Sequence, residues 1–392
     1  MPTDVNAGRI QRTSLFVVSF FLFAPVLQGQ QAPLVLPTPE KLLREAYART
    51  KAASREADLT EIIRMCRQAR QANPSDAVAA YADELSAWAH NRRGEFYAAQ
   101  AAQRARQNQQ LSPGPDAPLD SSPQATELDG RALADFEAAI ELDPRNWKPL
   151  HNRGVSRALA GQWDKALEDF SGVVERKPDH ANAWFNRGEV RAERGEYELA
   201  VADYTQAIEL KPEDVDAHSR RGQAYFQLHK FREALADFDR AVQLAPQQAE
   251  PLLNRGDAHR SLGQWQLAAE DYRQTMVLDP RLGRAYQSAA WLLATCPLDR
   301  YRNAKLAVQA AEKALELDGG EDLRYLDTAA AAYANDGQFE KACETLIQAI
   351  GMVQAAKTAP AQAEMLRRRL GLYRRQQPYR EPQPTGTAAS GF

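Results

Sequence analysis

The sequence predicts an all-α protein built by stacking helix pairs, and three observations carry that prediction. First, one 34-residue unit is written four times between Trp147 and Leu282. Its columns are Gly154, Gly188, Gly222 and Gly256; Ala166, Ala200, Ala234 and Ala268; Phe170, Tyr204, Phe238 and Tyr272; and Pro178, Pro212, Pro246 and Pro280. A fixed period of this length marks a repeat array, and it has to be settled before any other reading. Second, the apolar residues of each unit have helical spacing, as in Leu199, Tyr204, Ala207 and Ile208. Third, each unit has stop signals where two helices would need them. In the second copy these are Arg194-Gly195-Glu196 in the middle and Lys211-Pro212 at the end. Proline lacks an amide donor and disfavours helix in the residue before it.

Within that copy, helix A is expected over about 182–193 and helix B over about 197–210. Gly188 and Ala200 are small where the two backbones must approach. A single pair cannot bury enough apolar surface to offset the entropy of ordering it, so the units must stack.

Trp184, Gly188, Ala200, Tyr204, Ala207 and Pro212 together resemble the signature of the tetratricopeptide repeat family over a full repeat. The resemblance implies a right-handed superhelix whose A helices line a concave groove. It also implies a module that binds peptides or protein surfaces.

From the N-terminus, residues 1–29 read as an export signal. Arg9 and Arg12 precede the apolar run Leu15–Leu27, and the chain turns polar at Gln28, with a cleavage expected after Gly29. The run is short for a membrane span, and no Cys follows it to carry a lipid. A membrane attachment is expected only if this segment stays uncleaved. The resulting location would be exported, periplasmic or in the cell envelope. Residues 30–39 are a proline-rich spacer, and Thr38-Pro39-Glu40 is a helix start.

Residues 40–110 read as degenerate repeat helices, with a pair expected over 40–54 and 59–72 and a long helix over 77–110. Gly94 has two readings. It joins the glycine column, with 131–142 as its helix B, because Ala132, Phe136 and Pro144 stand 34 residues before their counterparts. Alternatively, it is a turn between two helices of a complete degenerate unit. Residues 111–126 are rich in Pro, Ser, Gly and Asp and are expected to be an unstructured insertion.

The regular array is placed at 127–282. Degenerate units follow at 283–354, with helices expected over 286–295, 303–317, 323–335 and 339–352 and an insertion of about five residues in the first of them. The stretch Ala290–Pro297, followed by Tyr325–Ala330, resembles closing repeats of exported bacterial members of the family, notably those of planctomycetes. A capping helix is expected within 360–376. Met365, Leu366, Leu370 and Tyr373 would face the last repeat, and Arg367, Arg368, Arg369, Arg374 and Arg375 would face water. The tail 377–392 is expected to be unstructured.

Composition narrows the function. The chain has 392 residues, with 49 Lys and Arg against 52 Asp and Glu, a net charge of −3. No cationic excess is available to neutralise phosphates, which disfavours nucleic acid as a partner. There is no phosphate-binding glycine loop, nucleophile elbow or HExxH motif. The six His residues are scattered through different repeats. His151 and His218 fall near the groove, where a pH-sensitive contact is one reading and an ordinary surface residue the other. No enzyme, cofactor or metal is therefore expected. Of the three Cys residues, Cys66 reads as a small core residue, and Cys296 and Cys343 as packed or free thiols that geometry alone could bring together.

Two charged columns stand out. Arg153, Arg187, Arg221 and Arg255 each precede the glycine; Asp169, Asp203, Asp237 and Asp271 each precede the aromatic residue, and Asp135 extends that series. Charges on both helices at one spacing suggest a ladder of Arg–Asp pairs that fixes register. The other reading is an arginine row reserved for an acidic ligand.

The groove-lining candidates are Lys148, His151, Asn152, Asn182, Phe185, Asn186, Glu189, Ser219, Arg220, Gln223, Asn254 and Asp257, with Asp216 and Leu253 beside them. Asn152, Asn186 and Asn254 share one column and suit hydrogen bonding to a peptide backbone, although the family often has Asn there for structural reasons. Asn186 followed by Arg220 matches part of the family's carboxylate clamp, but Val155, Glu189 and Asp216 stand where a clamp would want Asn or Lys. The partner expected is a protein or peptide, bound by a non-catalytic scaffold. The competing reading is a structural protein of the cell envelope that acts by self-association or membrane attachment. Oligomeric state is open.

Overall fold

A computed structural model describes residues 38–111, 123–318, 322–356 and 360–383. The export-signal region, most of the spacer, most of the 111–126 insertion and the last nine residues lie outside these. Among the described residues there are seventeen α-helices, one 3-10 turn and no strand. They divide into two compact units on either side of Lys211-Pro212.

The first unit holds α1 (Thr38–Thr50), α2 (Glu56–Gln71), α3 (Asp76–Leu111), α4 (Pro123–Leu142), α5 (Trp147–Leu159), α6 (Trp163–Arg176), α7 (Ala181–Glu193) and α8 (Tyr197–Leu210). The second holds α9 (Val215–Gln227), α10 (Phe231–Leu244), α11 (Ala249–Ser261), α12 (Trp265–Leu278), α13 (Gly283–Thr295), α14 (Ala304–Asp318), α15 (Leu323–Asn335), α16 (Phe339–Ala356) and α17 (Pro360–Arg374). Within each unit the helices pair in sequence as A and B, and each pair packs on the next.

Gly94 is not a turn. It lies inside α3, and a Cβ built there would sit 2.6 Å from the Phe136 ring of α4. The interrupted repeat is therefore α3 paired with α4. Helix B of that pair is longer than the expected 131–142, because it begins at Pro123 inside the segment read as insertion. Pro at the first helical position loses no hydrogen bond and is preset for helix.

The glycine column has the same cause throughout. A Cβ at Gly154, Gly188, Gly222 or Gly256 would fall 2.7–2.9 Å from the ring of Phe170, Tyr204, Phe238 or Tyr272. All four rings are fully buried. Gly188→Ala should therefore lose stability in urea unfolding. Overpacking costs about 1–3 kcal/mol and better helix propensity returns about 1.

The turn from A to B is also uniform. Gly161, Gly195, Gly263 and Gly337 have φ between 70° and 81°, and the third copy has His229 there at φ 57°. In each, the next residue donates its N–H five residues back, as Glu196 does to Arg191 and Lys230 to Tyr225. An L side chain in the left-handed region is strained. His229→Gly is expected to stabilise the second unit by about 0.5–1 kcal/mol in thermal melts, after losing a ring contact with Phe231.

Two expectations at the C-terminus are corrected. Arg369 does not face water as Arg367, Arg368, Arg374 and Arg375 do. It is 7 % exposed and pairs with Asp327. The tail is not structureless from residue 377 either, since Pro378–Glu381 are half-buried against the second unit. All three cysteines are free thiols, Cys66 and Cys296 buried and Cys343 half-buried. Burial pushes the Cys66 thiol up to about 12, which suits a packed residue.

Candidate peptide-binding face

The Arg–Asp columns form the ladder expected of them. Arg187 donates from Nε to Asp203 Oδ2 at 3.0 Å and from its terminal nitrogen to Oδ1 at 2.7 Å. Arg153 with Asp169, Arg221 with Asp237, Arg255 with Asp271 and Arg93 with Asp135 repeat this fork. These arginines are engaged inside their repeats, so they do not form a row reserved for an acidic ligand. Each aspartate also has a second basic partner, from one of two places on helix A. Arg157 and Arg191 serve Asp169 and Asp203 from four residues after the ladder arginine. His259, at the same place, lies 3.8 Å from Asp271. His90 and His218 serve Asp135 and Asp237 from three residues before it. Burial pushes the Asp135 and Asp237 carboxyls up, but Arg93 with His90, and Arg221 with His218, hold them below the ordinary carboxylate range.

The predicted groove residues divide into two groups. His151, Asn182, Phe185, Asn186, Glu189 and Asn254 are buried, and so is Leu253. They bind the repeats together. Asn182 accepts from Lys211 Nζ at 2.8 Å, and Asn186 Nδ2 lies 3.2 Å from His151 Nε2. Phe185 packs on Tyr204, and Glu189 accepts the Tyr204 hydroxyl. Asn254 accepts from Arg284 at 2.6 Å. The polar ones suggested solvent, but each has an internal partner that offsets part of the cost of burial.

The remaining candidates keep access to solvent. Lys148 and Asp216 are exposed, and Asn152, Ser219, Arg220, Gln223 and Asp257 are half-buried. Asn152 bridges two A helices of the first unit, donating to Asn91 and Glu95 of α3 at 3.0 Å. In the second unit Arg220 donates to Gln223 at 3.2 Å on α9. Asp257 on α11 accepts from Tyr272, from Ser288 and from Arg284. In the second unit the neighbouring A helices α9 and α11 thus carry solvent-reached polar side chains on a backbone fixed by the ladder and the glycine contacts, and in the first unit α5 carries Asn152 while the α7 candidates are buried.

A signal for the buried half was present in the columns. Where the aromatic residue is Tyr, the A helix carries an acid fifteen residues earlier, Glu189 for Tyr204 and Asp257 for Tyr272. Where it is Phe, that place holds Val155 or Gln223. A buried phenol needs an acceptor and a buried phenyl does not.

A segment that sequence reasoning passed over also lies on this face. Residues 377–383 leave α17 and reach α11 and α13. Arg260 donates to Glu381 Oε1 at 2.5 Å, and the Glu381 N–H donates to the Thr295 carbonyl at 2.8 Å. Arg380 donates to the Ala294 carbonyl at 3.0 Å. The Tyr379 ring lies 6.0 Å from Trp291, and the Arg369 guanidinium sits 4.5 Å from Tyr379 and 4.8 Å from Trp291.

Among the described residues no group of three His, Cys, Asp or Glu side chains is placed to hold a metal ion, and no helix is long and apolar enough to cross a membrane. A family model described as TPR repeat matches residues 188–229, and one described as tetratricopeptide repeat matches residues 215–248. No curated protein matches the chain. Among solved structures it is similar to YrrB, described as a TPR protein with an unusual peptide-binding site. The identity is 21 %, the TM-score 0.41, and 49 % of this chain and 95 % of that one are covered. It is also similar to PilW, described as a type IV pilus biogenesis factor, at 17 % identity and TM-score 0.47, over 56 % of this chain and 97 % of PilW. MamA from Desulfovibrio magneticus RS-1 is similar at 19 % identity and TM-score 0.38, over 47 % of this chain and 97 % of MamA. The two family matches fall inside the four-copy array, whose columns continue the same unit on both sides of them, and this part of the chain is an array of tetratricopeptide repeats.

Proposed function

We propose that the chain is a non-catalytic interaction scaffold that binds peptide segments of a partner protein along the solvent-reached edges of its A helices. One observation carries the reading: the A-helix face of the second unit already holds a non-helical stretch of polypeptide, residues 377–383. A face that pairs a backbone N–H, an acid and an aromatic ring with fixed acceptor, cation and ring is a peptide-recognition surface. The polar residues that remain accessible, Asn152, Arg220, Gln223 and Asp257, extend the same chemistry along the rows. Mixed charge there supports a polar, sequence-specific partner.

Selection of peptides from a random displayed library on the purified full chain tests this. Enriched sequences whose binding weakens at least tenfold in Arg220→Ala or Asn152→Ala are the expected result. A library that yields no binder above background would remove the scaffold reading. Export is part of the proposal, supported by the basic start and apolar run of residues 1–29. Sequencing the N-terminus of the protein from its native host tests it, and an intact Met1 would count against cleavage.

A further inference from the structure

We infer that the face made by α11, α13 and α15 is a partner's peptide site that this chain keeps filled with its own tail. The ligand it fits carries an aromatic residue and, two positions later, an acid. The inference rests on the scaffold reading and goes further by naming the site, the ligand chemistry and the competitor.

The backbone, acid and ring contacts of the tail are ones that a foreign peptide of that pattern would reproduce. Thr295 is the last residue of α13, where the final carbonyls have no partner within the helix. Its oxygen takes the Glu381 N–H at 2.8 Å, a contact open to any backbone amide. Arg260, on α11, is 14 % exposed and offers one charge-assisted bond to an acid. Trp291 and Arg369 make a stacked wall for an aromatic ring, and the Arg369 side chain is held from behind by Asp327 of α15. Trp291 stands one repeat after Asp257, which stands one repeat after Gln223, so the tail rests on the row of half-buried A-helix residues described above.

The resident segment fits this site imperfectly. Glu381 Oε2 is buried with no hydrogen-bond partner, because Arg260 engages only the other oxygen. Arg380 is drawn into a half-buried place near Arg302, which disfavours its charged form. An unsatisfied carboxylate oxygen and a crowded cation are both relieved when the tail departs. What keeps it in place is tethering. A short link to α17 gives the tail an effective concentration on the order of millimolar, which a peptide in solution must overcome.

The test uses the full chain and a fluorescein-labelled peptide of the chain's own sequence, Gln-Pro-Tyr-Arg-Glu-Pro-Gln, followed by anisotropy. The wild type should bind it weakly. The double variant Tyr379→Ala with Glu381→Gln, which empties the site in cis, should bind it at least tenfold more tightly. Adding Arg260→Gln to that variant should remove the gain. Far-ultraviolet circular dichroism confirms that the variants are folded. Glu381→Gln alone, which keeps the shape and removes only the charge, should show an intermediate gain. Equal affinity of wild type and double variant would overturn the inference, and so would no binding to the double variant. The two readings fail separately: a library with no binder removes the scaffold. If library binders respond to Arg220→Ala and ignore both the tail variants and Arg260→Gln, the scaffold stands and the self-occupied site falls.

Discussion

Asp203→Asn is expected to destabilise the first unit by about 3–5 kcal/mol, the cost of removing one partner from a buried ion pair. The Asp203 side chain is 2 % exposed and holds two guanidiniums, Arg187 through a fork and Arg191 at 2.7 Å. Asparagine keeps the volume but leaves two half-buried cations with no counter-charge and replaces one acceptor oxygen with a donor amide pointing at donors. The loss should be read by hydrogen exchange as well as by urea unfolding, because repeat arrays open locally and a single unfolding midpoint need not describe them. Exchange should accelerate most in α7 and α8. A double-mutant cycle of Arg187→Ala and Asp203→Ala isolates the pair, and coupling near zero would sink the ladder as a register device. Where a carboxyl is held below its usual range, as in Asp135 and Asp237, the sign with pH is set. That stabilisation is complete above the ordinary carboxylate range and is lost as pH falls through the lowered value.

Much of this architecture was legible in the columns because one physical constraint was written four times. A glycine that must admit a ring, and an arginine that must meet an aspartate sixteen residues on, recur at one spacing because the same helix pair recurs. The continuity of α3 through Gly94 was only half legible. An Ala-, Gln- and Arg-rich stretch is helical under either reading, and what decides between them is the Phe136 ring that lies against Gly94. The candidate site was harder. Asn182, Asn186 and Glu189 are polar, and polarity alone points to water. Their partners, Lys211 Nζ, His151 Nε2 and the Tyr204 hydroxyl, lie outside the helix that carries them and appear only in three dimensions. The tail was missed for a related reason. Its composition resembles a loose terminus, and its structure depends on Trp291 and Thr295, more than eighty residues earlier in the chain.

The first unit should also lose stability on mild acidification, with His151 as the main cause. His151 is 4 % exposed and packs against Phe170, Trp147 and His180. Burial, helped by the neighbouring charge of His180, lowers its imidazole to about 3. Burial and the nearby Lys211 lower His180 to about 4. Both folded values lie below the unfolded one, so from about pH 6.5 downward the unfolded chain binds protons that the folded chain refuses. Stability is complete above that value and falls with pH, by about 2 kcal/mol between pH 7 and pH 5 for His151 alone. His180 is only half-buried and adds less. The geometry agrees, because Asn186 Nδ2 faces His151 Nε2 at 3.2 Å, and an amide donor there requires an unprotonated ring nitrogen. His151→Leu, the residue that fills this place at position 253, is the probe. It lowers stability at every pH by leaving the Asn186 amide unpaired, so the slope and not the absolute value is the readout. Between pH 7 and pH 5 the variant should lose about 2 kcal/mol less than the wild type in urea unfolding. Identical slopes would show that His151 is not the buried neutral imidazole this packing requires.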